Sequence, residues 1–296
     1  MKTNCDLCKS KEYRIIFKGP IRQGIFGQET TKDHEAVKCK DCGLVRLLKN
    51  PISIEYYQSQ EYRNDYNESS NTSAYIKIHD HEQPPRLRKI GIENFRDKVI
   101  LDHGCGGGAF LDLVKGVAKK TIGIEPFTDF HQSLQLRGHE VFNNSSLALK
   151  KYKGRIDTII SFGVIEHVEK PSMYLKDSLK LLCSGGNMFL ETDNLDDILM
   201  KLKIPNFDRF FYRTAHLWYF NGKTLKRIVE KSGFEKTKIT FRHDFDLSNF
   251  IFWAKENKPT GLEKTNLFNS EINSAWIKFL ETQGYGGLVC ASMQKK

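Results

Sequence analysis

The stretch Val99-Ile-Leu-Asp102-His-Gly104-Cys105-Gly106-Gly-Gly108-Ala-Phe110 decides the fold. Val99, Ile100 and Leu101 make the short apolar run of a buried strand, and the glycines then break it ahead of an apolar helical segment at 109–115. The pattern predicts strand, tight loop, helix. Glycines at 104, 106 and 108 let the backbone approach a ligand closely, and the following helix points its free N–H groups back at the loop. The next apolar run, Thr121-Ile-Gly-Ile-Glu125, ends in a carboxylate roughly 20 residues after the glycines, where an acid accepts both hydroxyls of a ribose. Loop and acid together predict a site for an adenosine-containing cofactor. The competing reading is an ordinary strand-to-helix turn whose glycines only pack.

Outward from this stretch, runs at 140–142, 158–161, 186–192, 236–241 and 286–293 read as further strands. Helical patterns at 173–182 and 221–232 lie among them, the second stopped by Gly233. Strands alternating with helices demand an α/β fold on a parallel sheet. Residues 242–284 form an insertion before the last strand, and their aromatic segments at 250–253 and 276–280 suit a lid or a dimer surface. A monomer or a homodimer is expected.

Asp102, Gly104, Gly106 and Gly108 stand at the spacing D-x-G-x-G-x-G, which resembles the first motif of class I S-adenosylmethionine (SAM) methyltransferases. The resemblance implies a Rossmann-like seven-stranded sheet closed by an antiparallel strand after a long insertion. It also implies that Asp102, Gly104, Cys105, Gly106 and Gly108 cradle SAM while Glu125 takes its ribose. Pro126 and Phe127 then press on one face of the adenine, with a core role for Phe127 as the alternative. Asn144 and Ser145 stand where the family sets a polar group, often an aspartate, against the adenine amino group. Ser161 and Phe162, ahead of Gly163, line the cleft beside the sulfonium.

Val164-Ile-Glu166-His167-Val is similar to the I-E-H-V signature of small-molecule methyltransferases acting on quinones and sugars. Histidine titrates near neutrality, so His167 suits a general base; its other reading is a tie for its loop. Some relatives bind a metal through E-x-x-E-H, and Gly163 here replaces the first acid.

Four of the seven cysteines come as Cys5-x-x-Cys8 and Cys39-x-x-Cys42, with Gly43 permitting a tight turn after the second pair. Two such knuckles suit four thiolates around a structural zinc ion, with short strands at 13–17 and 35–38 forming a ribbon. A redox pair is the alternative, but neither pair opens a helix within a βαβ pattern. Three domains are expected: a zinc ribbon at 1–50, a connector with capping helices at 51–95, and the methyltransferase domain at 96–296. The connector holds Tyr56, Tyr57, Tyr62 and Tyr66, which either lie over a pocket or belong to a polar surface linker. Helices interrupted at Pro84-Pro85 follow.

With 296 residues, 39% of them hydrophobic, the chain can bury one large core and a small satellite. Its net charge of +10 suits a polyanionic partner or a phosphorylated substrate, although the lysines are scattered as on a solvated surface. No apolar run reaches about 18 residues and no apolar leader opens the chain, so a soluble, cytoplasmic protein is expected.

The ribbon, the tyrosine-rich connector, the glycine motif, the Glu-His pair and the segment Phe211-Tyr-Arg213-Thr-Ala215-His216-Leu-Trp-Tyr-Phe220 together look like zinc-ribbon methyltransferases of sugar biosynthesis. Carbon-methylating members read approximately Y-x-E-H there. This chain keeps His216 but has Ala215 for the glutamate and Arg213 for the tyrosine, so oxygen methylation with His216 or His167 as base fits better. Arg209 and Arg213 could pair with a phosphate or carboxylate of the acceptor, or lie exposed on a loop. Trp218, Tyr219 and Phe220 could wall an apolar pocket or pack the next helix. The expected substrate is a small molecule, a hydroxyl of a nucleotide sugar or polysaccharide sugar. RNA methylation, using the ribbon and the basic surface, is the alternative; a non-catalytic binding protein is a third, unsupported by the intact glycines and Glu125.

Overall fold

The computed structural model describes residues 4–48, 53–260 and 267–296. The expected boundary between ribbon and connector, at residues 50 and 51, lies outside the described residues. Eleven strands are formed among them: β1 (Tyr13–Gly19), β2 (His34–Cys39), β3 (Val45–Leu47), β4 (Val99–His103), β5 (Lys120–Ile124), β6 (Glu140–Phe142), β7 (Ile156–Phe162), β8 (Leu182–Asp193), β9 (Trp218–Tyr219), β10 (Glu235–Arg242) and β11 (Leu288–Gln294). All seven strands expected after residue 95 are present, with ends moved by a few residues. They form one sheet in the order β10-β11-β8-β7-β4-β5-β6.

The quoted stretch lies at the centre of that sheet. β4 pairs in parallel with β5, Val99 opposite Lys120 through His103 opposite Ile124, and on its other edge with β7, Ile100 opposite Thr158. β5 in turn pairs in parallel with β6, Ile122 opposite Glu140. The chain therefore winds outward through β5 and β6 and then returns to the far side of β4. In such sheets the crevice beyond the carboxyl ends of the strands, at the point of reversal, is where ligands bind.

Contacts divide the chain into two compact units, Met1–Pro51 with Glu191–Arg227 and Lys238–Ala291, and Ile52–Leu190 with Ile228–Thr237 and Ser292–Lys296; the division falls inside β8. In the second unit, Phe95, Ile100, Phe110, Leu111, Val114, Phe130, Leu134 and Ile160 form one buried cluster between β4, β7 and the helix Ala109–Lys115. Each such side chain withdrawn from water contributes roughly 1.5–3 kcal/mol. The tyrosine-rich segment is helical, with helices at Ile54–Gln58, Gln60–Asp65, Thr72–His79 and Gln83–Ile90. The prolines fall at the start of the last of these, where a missing N–H breaks no helical bond.

In the first unit, the two ribbon strands foreseen at 13–17 and 35–38 are β1 and β2, paired antiparallel with Tyr13 opposite Cys39. Two further strands complete their sheet. β3 pairs with β2, Ala36 opposite Leu47, and β9 pairs with β3, Val45 opposite Tyr219. Trp218, Tyr219 and Phe220 are buried, so these aromatics pack the interior. Val45, Leu47, Phe207, Phe211, Tyr219, Trp253 and Leu280 share one core. Two helices, Leu247–Glu256 and Ser270–Gln283, occupy the expected insertion and contribute Trp253 and Leu280 to that core. A buried fork joins β10 to β8: Arg242 donates from Nε and Nη2 to the two oxygens of Glu191 at 2.8 and 2.9 Å. No helix among the described residues is long and apolar enough to cross a membrane.

Candidate functional site

The glycine loop and the acid of β5 close on each other. Gly106 N–H donates to Glu125 Oε2 at 2.8 Å, and Phe127 N–H donates to Oε1 at 2.9 Å. Burial raises the Glu125 pKa, against the opposing pull of Arg63 and these two N–H groups. Gly106 has φ +50°, and a Cβ there would lie 2.6 Å from the Tyr75 hydroxyl. Gly108, at φ +83°, begins the helix, and its Cβ would meet Leu134 Cδ2 at 2.4 Å. Both positions therefore demand glycine. Asp102 is buried near the end of β4; burial, with the Glu125 charge adding to it against Arg86, pushes its carboxyl up to about 7. Gly104 and Cys105 turn the chain there, both donating N–H to Ile124 O.

The other expected cofactor residues are placed as follows. Phe127 is 2% exposed and packs edge-on against Phe130, and Pro126 precedes it, half-buried. Asn144 is exposed and spends its side-chain oxygen capping the helix Ser145–Tyr152. Phe162 lies against Phe110 and under the Arg86 guanidinium, 4.7 Å from its ring centre. Ser161 is buried and hydrogen-bonded to the Tyr174 hydroxyl.

Ser145 belongs to a relay that sequence reading did not disclose. His103 is buried with Nδ1 3.1 Å from Ser178 Oγ and Nε2 3.0 Å from Ser145 Oγ. The Ser178 hydroxyl donates to Tyr174 O at 3.0 Å, so its oxygen can only accept from His103, and Nδ1 carries the proton. Nε2 then accepts from Ser145, whose remaining lone pairs can still accept from an amino group. Burial lowers the His103 pKa to about 3, so the imidazole stays neutral.

Arg63 is the second residue missed. Only 5% exposed, it pairs with Glu68 and stands 4.0 Å from Glu125 Oε1. Its guanidinium lies 4.9–5.2 Å from the ring centres of Tyr75, Phe130, Tyr62 and Phe127. Arg63 thus brings the tyrosine-rich segment to the acid at the end of β5. His167 is half-buried at the edge of the same segment, its ring 5.2 Å from that of Tyr57.

In the first unit, His216 is 3% exposed and its Nδ1 lies 3.5 Å from Asp193 Oδ2, at the end of β8. Arg213 pairs with the same oxygen, so this arginine is engaged with the protein's own carboxylate. Arg209 is 44% exposed at its side chain and lies 3.7 Å from Glu29.

The four paired cysteines also come together in this unit. Cys5 and Cys42 Sγ are 3.5 Å apart, Cys8 and Cys39 Sγ 3.4 Å, and all four lie within 4.8 Å of one another. Burial pushes the Cys39 thiol up, but the Cys42 and Asp41 N–H groups outweigh it and bring the pKa down to about 7. Cys105, Cys183 and Cys290 stand apart from this cluster.

The family model for a methyltransferase domain matches residues 77–239, more than half of the chain. Among curated relatives, a tRNA U34 carboxymethyltransferase of Psychromonas ingrahamii is 26% identical over 162 residues, covering 52% of this chain and 49% of that protein. The mitochondrial ubiquinone biosynthesis O-methyltransferase of Candida albicans is 30% identical over 126 residues, covering 39% and 38%. The chain spans about half the length, or less, of these curated relatives. A SAM-dependent methyltransferase from Archaeoglobus fulgidus superposes with a TM-score of 0.52 at 19% identity, over 76% of this chain and 97% of that one. With its glycine loop, the buried acid after β5 and its seven-stranded sheet, the chain belongs to the methyltransferase-domain family and has the class I SAM-dependent methyltransferase fold.

Proposed function

We propose that the protein transfers the methyl group of SAM to a hydroxyl of a small phosphorylated acceptor, a sugar or nucleotide sugar, with His216 or His167 withdrawing the proton. The observation that carries the cofactor assignment is the Glu125 carboxylate held at the glycine loop by Gly106 N–H. The residues fit the cofactor chemically: a buried acid for the ribose, glycines at positive φ that bring the loop backbone close, and Ser161 and Phe162 at the end of β7. When bound, SAM supplies an already activated methyl group on its sulfonium. The protein's part is then to hold the acceptor oxygen in line and take its proton. His216, held by Asp193, has the residue chemistry of that base; His167, at the tyrosine-rich segment, is the alternative. The O-methyltransferase among the relatives supports transfer to oxygen.

The four cysteines fit zinc. A tetrahedron with Zn–S bonds of about 2.3 Å has sulfur atoms about 3.8 Å apart, and the sulfurs here lie at 3.4 to at most 4.8 Å. Cys5, Cys8, Cys39 and Cys42 would hold the ion as a closed structural site.

RNA is the second reading, favoured by the net charge of +10 and by relatives named tRNA U34 carboxymethyltransferase. Methyl transfer from labelled SAM into an extract of the source organism, fractionated into RNA, sugar nucleotides and polysaccharide, separates the two. Label in the sugar fractions supports the first reading; label in RNA overturns it and supports the second.

A further inference from the structure

The first unit contains a cavity of about 260 Å³ at the loop after β1, and neither the glycine loop nor the cysteine cluster belongs to it. Its charged lining is Arg22, Arg209 and Glu29, a net positive set, and its walls come from Phe26, Phe210 and Trp253. The Arg22 guanidinium is stacked 4.2 Å from the Phe210 ring centre, which fixes the plane of its donors. Arg209 faces Glu29 at 3.7 Å with both side chains more than two-fifths exposed, a pairing worth about 0–1 kcal/mol that a doubly charged anion readily replaces. Phe26 is 46% exposed and sits edge-on to Phe210 and Trp253, leaving an apolar ring face at the rim. Asn206 and Asn257 also line the cavity, and both adopt left-handed backbone conformations, φ +62° and +56°. Asn206 precedes the helix Phe207–Phe211 yet makes no side-chain cap bond to it, so its amide is not spent on the helix.

Two guanidiniums, carboxamides and an exposed ring make a set of complementary contacts. A phosphate takes the arginine forks, hydroxyls take the amides, and the C–H face of a pyranose covers a ring. The volume is below the about 300–1,000 Å³ of sites for drug-sized molecules, a size that suits a phosphorylated monosaccharide. We infer that this cavity binds a glycosyl phosphate, Arg22 and Arg209 holding the phosphate and Phe26 the sugar ring. The inference rests on the reading of a phosphorylated sugar acceptor and supplies the site that recognises it.

The test is calorimetry on the full chain with α-D-glucose 1-phosphate, glucose, S-adenosylhomocysteine (SAH) and a decauridylate RNA, repeated on Arg209→Gln and Phe26→Ser, both at exposed positions. The expected result is saturable binding of glucose 1-phosphate but not glucose, weakened about tenfold or more in each variant, with SAH affinity unchanged. Glucose 1-phosphate that fails to bind while SAH binds overturns the cavity assignment and leaves the methyl-transfer reading standing. Sugar phosphate binding without SAH binding does the reverse. Binding unchanged in both variants, or the RNA bound in place of the sugar phosphate and weakened by the same substitutions, also overturns it.

Discussion

Gly106 N–H donates to Glu125 Oε2 at 2.8 Å, linking the turn after β4 to the end of β5 across 19 residues of chain. The second oxygen of the same carboxylate accepts from Phe127 N–H, so the acid is fixed from both sides. Replacing Glu125 by Gln turns one oxygen into an NH2 that faces a backbone donor. Charge-assisted hydrogen bonds contribute about 1.5–3 kcal/mol each, so Glu125→Gln is expected to weaken SAH binding by about ten- to a hundredfold in calorimetry. Unchanged affinity removes the ribose role from Glu125.

The cysteine cluster predicts about one equivalent of zinc in protein purified without chelator, released by a mercurial that titrates the thiols. Cys39→Ser removes one of four ligands, and Cys39 also belongs to β2, which pairs with both β1 and β3. The variant is expected to lose the metal and melt at lower temperature. Metal analysis that finds no zinc in wild-type protein removes the zinc site.

His79 gives a pH dependence with a definite sign. Its ring lies 3.5 Å from Glu82 and 3.7 Å from Glu68; burial pulls its pKa down, but the two carboxylates outweigh this and raise it to about 9. The folded value lies above the unfolded one of about 6.5, so the imidazolium stabilises the fold. That contribution is complete below pH 6.5 and is lost as pH rises through 9. Glu68 and Glu82 both have lowered pKa values and stay ionised across this window. The urea-midpoint difference between wild type and His79→Gln is therefore expected to shrink from pH 6.5 to 9.5; a constant difference contradicts the pairing.

The sheet was legible because its signals are local. Val99 to Phe110 carries strand, loop and helix within twelve residues, and Glu125 ends the next strand. The two cysteine pairs were equally plain, each pair closing its own turn. Arg63 was not legible: its environment of Glu68, Tyr75, Glu125 and Phe130 is assembled from four segments with no shared period. β3 and β9, three and two residues long, are too short to show alternation, and only pairing reveals them. Asn144 stands where the resemblance sets a polar group against the adenine, and its oxygen also caps the helix Ser145–Tyr152, a role asparagine fills for local reasons. Asp193 was passed over because the end of a strand says nothing about a histidine 23 residues further on.

That pair makes the last prediction. His216 Nδ1 lies 3.5 Å from Asp193 Oδ2, and Arg213 shares the oxygen, so the carboxylate is held between a cation and the imidazole. An acid at Nδ1 favours the tautomer with its proton there and makes Nε2 the basic nitrogen. If His216 is the base, His216→Ala is expected to lower kcat by about a hundredfold or more while SAH affinity stays at the wild-type value. Asp193→Asn keeps the shape and loses the charge, so it should lower kcat less than His216→Ala, leave KM for SAM unchanged, and shift the acidic limb of the kcat/KM profile, which the base sets, to lower pH. Asp193→Glu, which restores the carboxylate, should recover part of the rate. A merely structural Asp193 would lower SAH affinity and melting temperature without moving the pH profile. Full activity in His216→Ala, with its loss in His167→Ala, transfers the base assignment to His167.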